Sequence, residues 1–227
     1  YDAVFPEVVS ELMDLAGVEH RLDDPEYANI LAKNAKLAGL MDITGQANLM
    51  ELRKKVAAEI GIPVEELQAI MEPVERVYAI ADHSRCLAFM FGDGIIPSNV
   101  KAGYLARLVL RRTLRLMAEA GMDVPLSDIV TMQIDKLPEY PEFSERLKTI
   151  VEILDREEDK YADSLERGQG LVAKRARHYM DEGGEFPVGE ISRMYDTHTI
   201  TPKSRATLAA ANVRTKGVHN QTIPLGA

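Results

Sequence analysis

Apolar residues recur three and four positions apart along most of the chain, the signature of helices that each bury one face. Across residues 5–15, Phe5, Val8, Val9, Leu12 and Leu15 fall on one side, and Gly17 suits a C-terminal stop. Pro25 opens a second helix, in which Ile30, Leu31 and Leu37 recur before Gly39. Asn48 is the expected cap of a third, running through Leu52 and Val56 to Ile60. Beyond the punctuation of Gly61-Ile62-Pro63, the positions Leu67, Ile70, Met71, Val74 and Tyr78 predict a long helix towards Phe91. A kink or break is expected at Pro73, because proline removes a backbone donor and crowds the preceding turn.

Turn formers crowd residues 92–99 and predict a loop, after which helical spacing resumes over 103–117 and again over 126–134. Pro138 and Pro141 mark a joint. Residues 142–181 then hold hardly a breaker apart from Gly168 and Gly170, so one or two long helices are expected. Their early acids, among them Glu152, Asp155, Glu157, Glu158, Asp159 and Asp163, read as a solvated outer face. Gly183-Gly184 ends the run, and a short helix is expected over 187–195. Past Pro202 the periodicity fades into a polar tail, a candidate for disorder. The resulting expectation is an all-α chain of two packed helical subdomains, with one long helix or helix pair and an irregular C-terminal tail. The boundaries are 1–137, 138–202 and 203–227.

Composition agrees with a helical class: 46% of the 227 residues are apolar, aromatics make up only 6%, and there is no tryptophan. The single cysteine, Cys86, excludes an internal disulfide framework and points to a reducing, cytoplasmic setting with a buried, inert thiol. Apolar runs such as 86–91 are far shorter than the roughly 18 to 20 residues that cross a bilayer, and no signal peptide is visible, so no membrane partner is expected. The chain begins at Tyr1, without an initiator Met, in a segment that already reads as helical. A piece of a longer protein is expected.

A net charge of -9 argues against a polyanionic partner unless the cations are gathered in one place. They are gathered over 99–118, which carries Lys101, Arg107, Arg111, Arg112 and Arg115 and no acid. Arg107, Arg111 and Arg115 stand four apart and form a row on one helix face, extended a turn by Tyr104, while Leu110, Leu114 and Met117 take the stripe that faces the core. Such a row suits a phosphate backbone; it equally suits pairing with the acidic long helix inside the protein. Arg112 lies about 100° around from Arg111, which makes it a candidate structural residue.

His83 and Cys86, three apart, resemble half of a metal site, but structural zinc needs about four ligands and the other histidines are scattered. A hydrogen-bonded helix histidine and no metal are expected. Phosphate-binding glycine loops, nucleophile elbows and zinc-protease motifs are absent, so no catalytic residue is assigned.

Ala81-Asp82-His83-Ser84-Arg85, then Asp93-Gly94-Ile95-Ile96-Pro97-Ser98-Asn99, then Gly103-Tyr104 and the arginine row through Arg111-Arg112 closely resemble the alanyl-tRNA synthetases. About a hundred residues later Tyr195-Asp196-Thr197-His198 and Pro202 are similar to a second hallmark of that family, and Tyr1-Asp2-Ala3-Val4-Phe5 resembles its exit from the catalytic domain in archaeal members. Two departures stand out: Thr199 occupies a position where the family pattern has glycine, which bears on the turn at Asp196, and residues 213–227 have no counterpart in that pattern.

The resemblance implies a helical region that recognises the acceptor stem of alanine tRNA, lying between the catalytic and editing domains of one parent chain. Carried over by motif, Asn99 and Asp196 would read a G·U wobble pair from the minor groove. Arg107, Arg111, Arg112 and Arg115 would position the backbone, with Lys101 assisting at the loop. The parent would join alanine to its tRNA with ATP and magnesium, and its editing domain would carry zinc. None of these cofactors is expected in this chain, which should be inert in aminoacylation alone. The alternative reading is a helical protein-interaction module whose basic face binds acidic protein.

Overall fold

The computed structural model describes residues 6–19, 24–38, 46–181, 185–187 and 214–216. They form eight helices: α1 (Pro6–Leu15), α2 (Pro25–Ala38), α3 (Gln46–Ile60), α4 (Val64–Gly92), α5 (Lys101–Glu119), α6 (Leu126–Asp135), α7 (Pro141–Glu145) and α8 (Leu147–Asp181). Two three-residue strands, β1 (Glu185–Pro187) and β2 (Arg214–Lys216), pair in parallel with Glu185 opposite Arg214. The fold is all-α.

The chain divides into two compact units, Tyr1–Asp155 and Arg156–Ala227, so the division falls within α8 rather than at the proline joint near 137. The second unit holds the rest of α8 and the strand pair. Sequence reading missed those strands: Pro187 ends β1 instead of opening a helix, and Arg214–Lys216 is ordered into β2. The remainder of the expected helix and tail lies outside the described residues.

In the first unit α4 is the hub, touching α1, α3, α5, α6 and α7. Its buried positions, including Leu67, Met71, Val74, Val77, Ile80, Ala81, Ser84, Leu87, Ala88 and Phe91, follow three-and-four spacing along all 29 residues, a rod of about 44 Å. The N-terminal half packs Leu67 and Met71 with Ile30 of α2 and Leu52, Val56 and Ala57 of α3. Burial along this length outweighs the one donor lost at Pro73, and the expected break does not occur. Beneath the C-terminal half, Gln133 of α6 donates to the Ala81 carbonyl at 2.9 Å and to Ser84 Oγ at 3.0 Å, a buried polar tie between α4 and α6.

Other boundaries shift by local chemistry. Asp24 Oδ1 accepts from the Glu26 and Tyr27 amides and caps α2. Asn48 lies inside α3, which starts two residues earlier than the expected cap. Leu15, expected on the buried face of α1, is 39% exposed, because the helix ends there and Gly17 (φ 61°) turns the chain.

Candidate nucleic-acid interface

Residues 93–100 form the loop between α4 and α5, and its near end is fixed by the way α4 stops. The Asp93, Gly94 and Ile95 amides donate to the carbonyls of Phe89, Phe91 and Met90, each at 2.9 Å, with Gly94 in the left-handed region at φ 82°. Arg146 Nη1 donates to the Gly92 carbonyl at 2.7 Å, placing a cation on the negative end of the helix. Phe143 lies fully buried against Gly92 and packs with Phe89 and Tyr140, at centroid separations of 5.3 and 5.0 Å.

The far end is held by α5. The Ser98 amide donates to the Gly103 carbonyl at 3.0 Å, and Ser98 Oγ both donates to the Val100 carbonyl and accepts from the Val100 amide. Lys101 enters the helix at φ 50°, a left-handed conformation that costs a non-glycine residue about 1 kcal/mol or more. Arg107 reaches back from the second turn: Nη1 donates to Asn99 Oδ1 at 2.5 Å and Nη2 to the Pro97 carbonyl at 3.3 Å. Asn99 itself is exposed. A loop that sequence reading identified only as turn-rich is therefore anchored at both ends, with Asn99 near its tip.

Helix α5 buries Gly103, Ala106, Leu110, Thr113, Leu114 and Met117, the expected stripe. Its outward side differs from expectation. Tyr104, Leu105 and Leu108 are exposed there, and with Val100 (66% exposed) and Ile96 (69%) they make an apolar ridge beside Asn99. Their spacing was legible, since 100, 104 and 108 stand four apart, but the cations drew the reading instead.

Lys101 and Arg112 are exposed, whereas Arg107, Arg111 and Arg115 are half-buried. Arg112, considered above for a structural role, is exposed, and its charge acts on the nearby His83. Arg115 Nε lies 3.7 Å from Glu119, whose carboxylate also meets Arg76 at 3.9 Å. Arg76 pairs with Glu72, and Arg53 with Glu72 and Glu75, so a chain of alternating charges ties α3, α4 and α5. One acid that Arg115 meets thus comes from its own helix.

His83 is half-buried, and its Nδ1 has no hydrogen-bond partner, contrary to the expected hydrogen-bonded histidine. Burial pushes its pKa below the ordinary value; the nearby Arg112 charge adds to this, and Asp82 opposes it. Cys86 is exposed rather than buried, and partial covering and then Asp82 raise its thiol pKa. Among the described residues no cluster of three or more His, Cys, Asp or Glu is placed to hold a metal, and no helix is long and apolar enough to cross a membrane. Asp196 and the Tyr195-Asp196-Thr197-His198 turn lie outside the described residues.

The family model described as tRNA synthetases class II (A) matches residues 1–221. That range takes in part of the segment that the motif pattern left without a counterpart. The alanine–tRNA ligase of Methanococcoides burtonii is 59% identical over 210 residues, 92% of this chain. The alanine–tRNA ligases of Methanosarcina mazei and Methanothrix thermoacetophila are each 58% identical, over 92% and 94% of the chain. The chain spans 23% of the length of each of these relatives. A family match over nearly the whole chain, with relatives this similar, is decisive: the chain belongs to the class II (A) tRNA synthetases, and within them to the alanyl-tRNA synthetases.

Proposed function

We propose that this chain is the acceptor-stem recognition region of an alanine–tRNA ligase, and that it reads a G·U wobble pair from the minor groove. The observation that carries the reading is Asn99, exposed on a loop pinned at both ends and set against the basic helix α5. A base reader needs such rigidity, because a hydrogen bond to a base edge discriminates only if the donor cannot swing to a substitute.

The chemistry follows from the wobble pair. Its guanine 2-amino group lacks the partner that cytosine O2 supplies in G·C, so a donor projects into the wide, shallow minor groove of A-form RNA. The Asp196 carboxylate accepts from that donor and the Asn99 amide contacts the neighbouring edge. Each good base contact is worth about 1–3 kcal/mol of discrimination. Lys101 and Arg112, both exposed, take the phosphate backbone, with Arg111 and Arg115 at the flank. The parent attaches alanine to its tRNA with ATP and magnesium through a catalytic domain on the same chain, and a zinc-bearing editing domain completes it. The region alone is inert in alanine activation.

A second reading has one observation in its favour: the apolar ridge of Ile96, Val100, Tyr104, Leu105 and Leu108 suits a protein partner as well as ribose edges. Titration of the full chain with a labelled alanine acceptor hairpin separates the two. Acceptor-stem reading predicts binding that weakens with salt and is about tenfold tighter for the wobble hairpin than for its G·C counterpart. Equal affinity for both hairpins, or none for either, overturns it in favour of the protein-interaction reading.

A further inference from the structure

We infer that Arg107 is a positioning residue for Asn99, fixing which end of its amide faces the RNA, rather than a phosphate contact. This deepens the reading above and rests on Asn99 being a base reader.

A guanidinium carries five N–H donors and no acceptor. The end of the Asn99 amide that meets Arg107 must therefore be its carbonyl oxygen; turning the amide over would set N–H against N–H. The observed contact, Nη1 to Asn99 Oδ1 at 2.5 Å, is the charge-assisted arrangement. Nη2 on the Pro97 carbonyl at 3.3 Å fixes the plane of the fork, so the guanidinium cannot rotate without losing a second bond. Pro97 is buried and Asn99 exposed, so the fork bridges the anchored base of the loop to its reading tip.

Asn99 is thereby held as an outward donor. Its NH2 group has no hydrogen bond to the described residues and faces acceptors of the minor groove, such as a pyrimidine O2, a purine N3 or a ribose hydroxyl. Half-buried and committed to the loop, Arg107 contributes selectivity instead of charge. Lysine at this position keeps the charge but has a single ammonium on a flexible stem and cannot reproduce the fork.

The test compares Arg107→Lys and Arg107→Gln in the full chain, measuring affinity for the wobble and G·C hairpins across a salt series. A positioning residue predicts that both variants lose about tenfold in wobble preference while affinity for the G·C hairpin and the salt slope stay unchanged. In an Asn99→Ala background neither change at 107 alters the preference further. A phosphate contact predicts the opposite: lysine behaves like wild type, and glutamine weakens both hairpins equally with a shallower slope. That result overturns the inference while leaving acceptor-stem reading intact. A wild-type chain with no wobble preference overturns both. If the variants at 107 fail to fold by circular dichroism, Asn99→Asp replaces them. It keeps an oxygen for Arg107 but removes the outward donor, and retained preference in Asn99→Asp contradicts the inference.

Discussion

A β-carbon on Gly103 would stand 2.3 Å from Ser98 Oγ, 2.4 Å from the Ile96 carbonyl and 2.9 Å from the Ser98 amide. The first turn of α5 and the loop that carries Asn99 therefore share a space that only glycine leaves open. Two of the three obstructing atoms are backbone and cannot step aside. Gly103→Ala is expected to lower unfolding stability by about 1–3 kcal/mol in urea titrations and to remove wobble preference by shifting Asn99. Wild-type stability with wild-type preference would show that the loop relaxes freely.

Phe143 sits under the other end of the same loop. Its ring lies fully buried against Gly92, and Arg146, three residues on, holds the Gly92 carbonyl. Phe143→Ala is expected to cost about 3–5 kcal/mol, as other buried phenylalanine truncations do. Arg146→Ala should cost less in stability and more in wobble preference. Calorimetry beside hairpin titration reads both, and equal effects of Arg146→Ala on the two hairpins would remove it from the positioning of the loop.

His83 gives the first unit a pH dependence above the carboxylate range. Its pKa in the folded chain lies below the ordinary value of 6.5, chiefly through burial. The unfolded chain therefore takes up the proton first, and stability present at neutral pH is lost as pH falls through the ordinary value towards the folded one. Urea unfolding between about pH 7.5 and 5.5 should show wild type losing more stability than His83→Gln. Parallel losses would assign the dependence to other groups.

Arg112 and Arg115 differ in what surrounds them. Arg112 is exposed, while the side chain of Arg115 is 18% exposed and paired with Glu119. Arg112→Gln should flatten the dependence of log affinity on log salt by about 0.7 to 0.9, one phosphate contact. Arg115→Gln should leave the slope near wild type and cost up to about 1 kcal/mol of stability. Equal slopes lost in both variants would mean that RNA displaces Glu119.

The helices and the buried stripe of α5 were legible because three-and-four spacing is a local property: Leu110, Leu114 and Met117 bury as their positions imply. What was not legible depends on contacts between distant residues. Nothing near Gly92 in the sequence announces Arg146, and nothing in Asn99 announces that Arg107 will take its carbonyl. Pro73 does not end the helix, because its cost is local while the burial that outweighs it extends along the whole of α4. The β1–β2 pairing joins Glu185 to Arg214 across a gap that no periodicity spans.

The central claim is that Asn99 and Asp196 read the wobble pair, and fluorescence anisotropy of labelled wobble and G·C acceptor hairpins against the wild-type chain, Asn99→Ala and Asp196→Ala tests it most directly. Base reading requires about a tenfold wobble preference in wild type that falls towards unity in each variant, with binding to the G·C hairpin unchanged. Preference that survives both substitutions, or binding without preference in wild type, would contradict it and leave α5 as a basic helix without base readout.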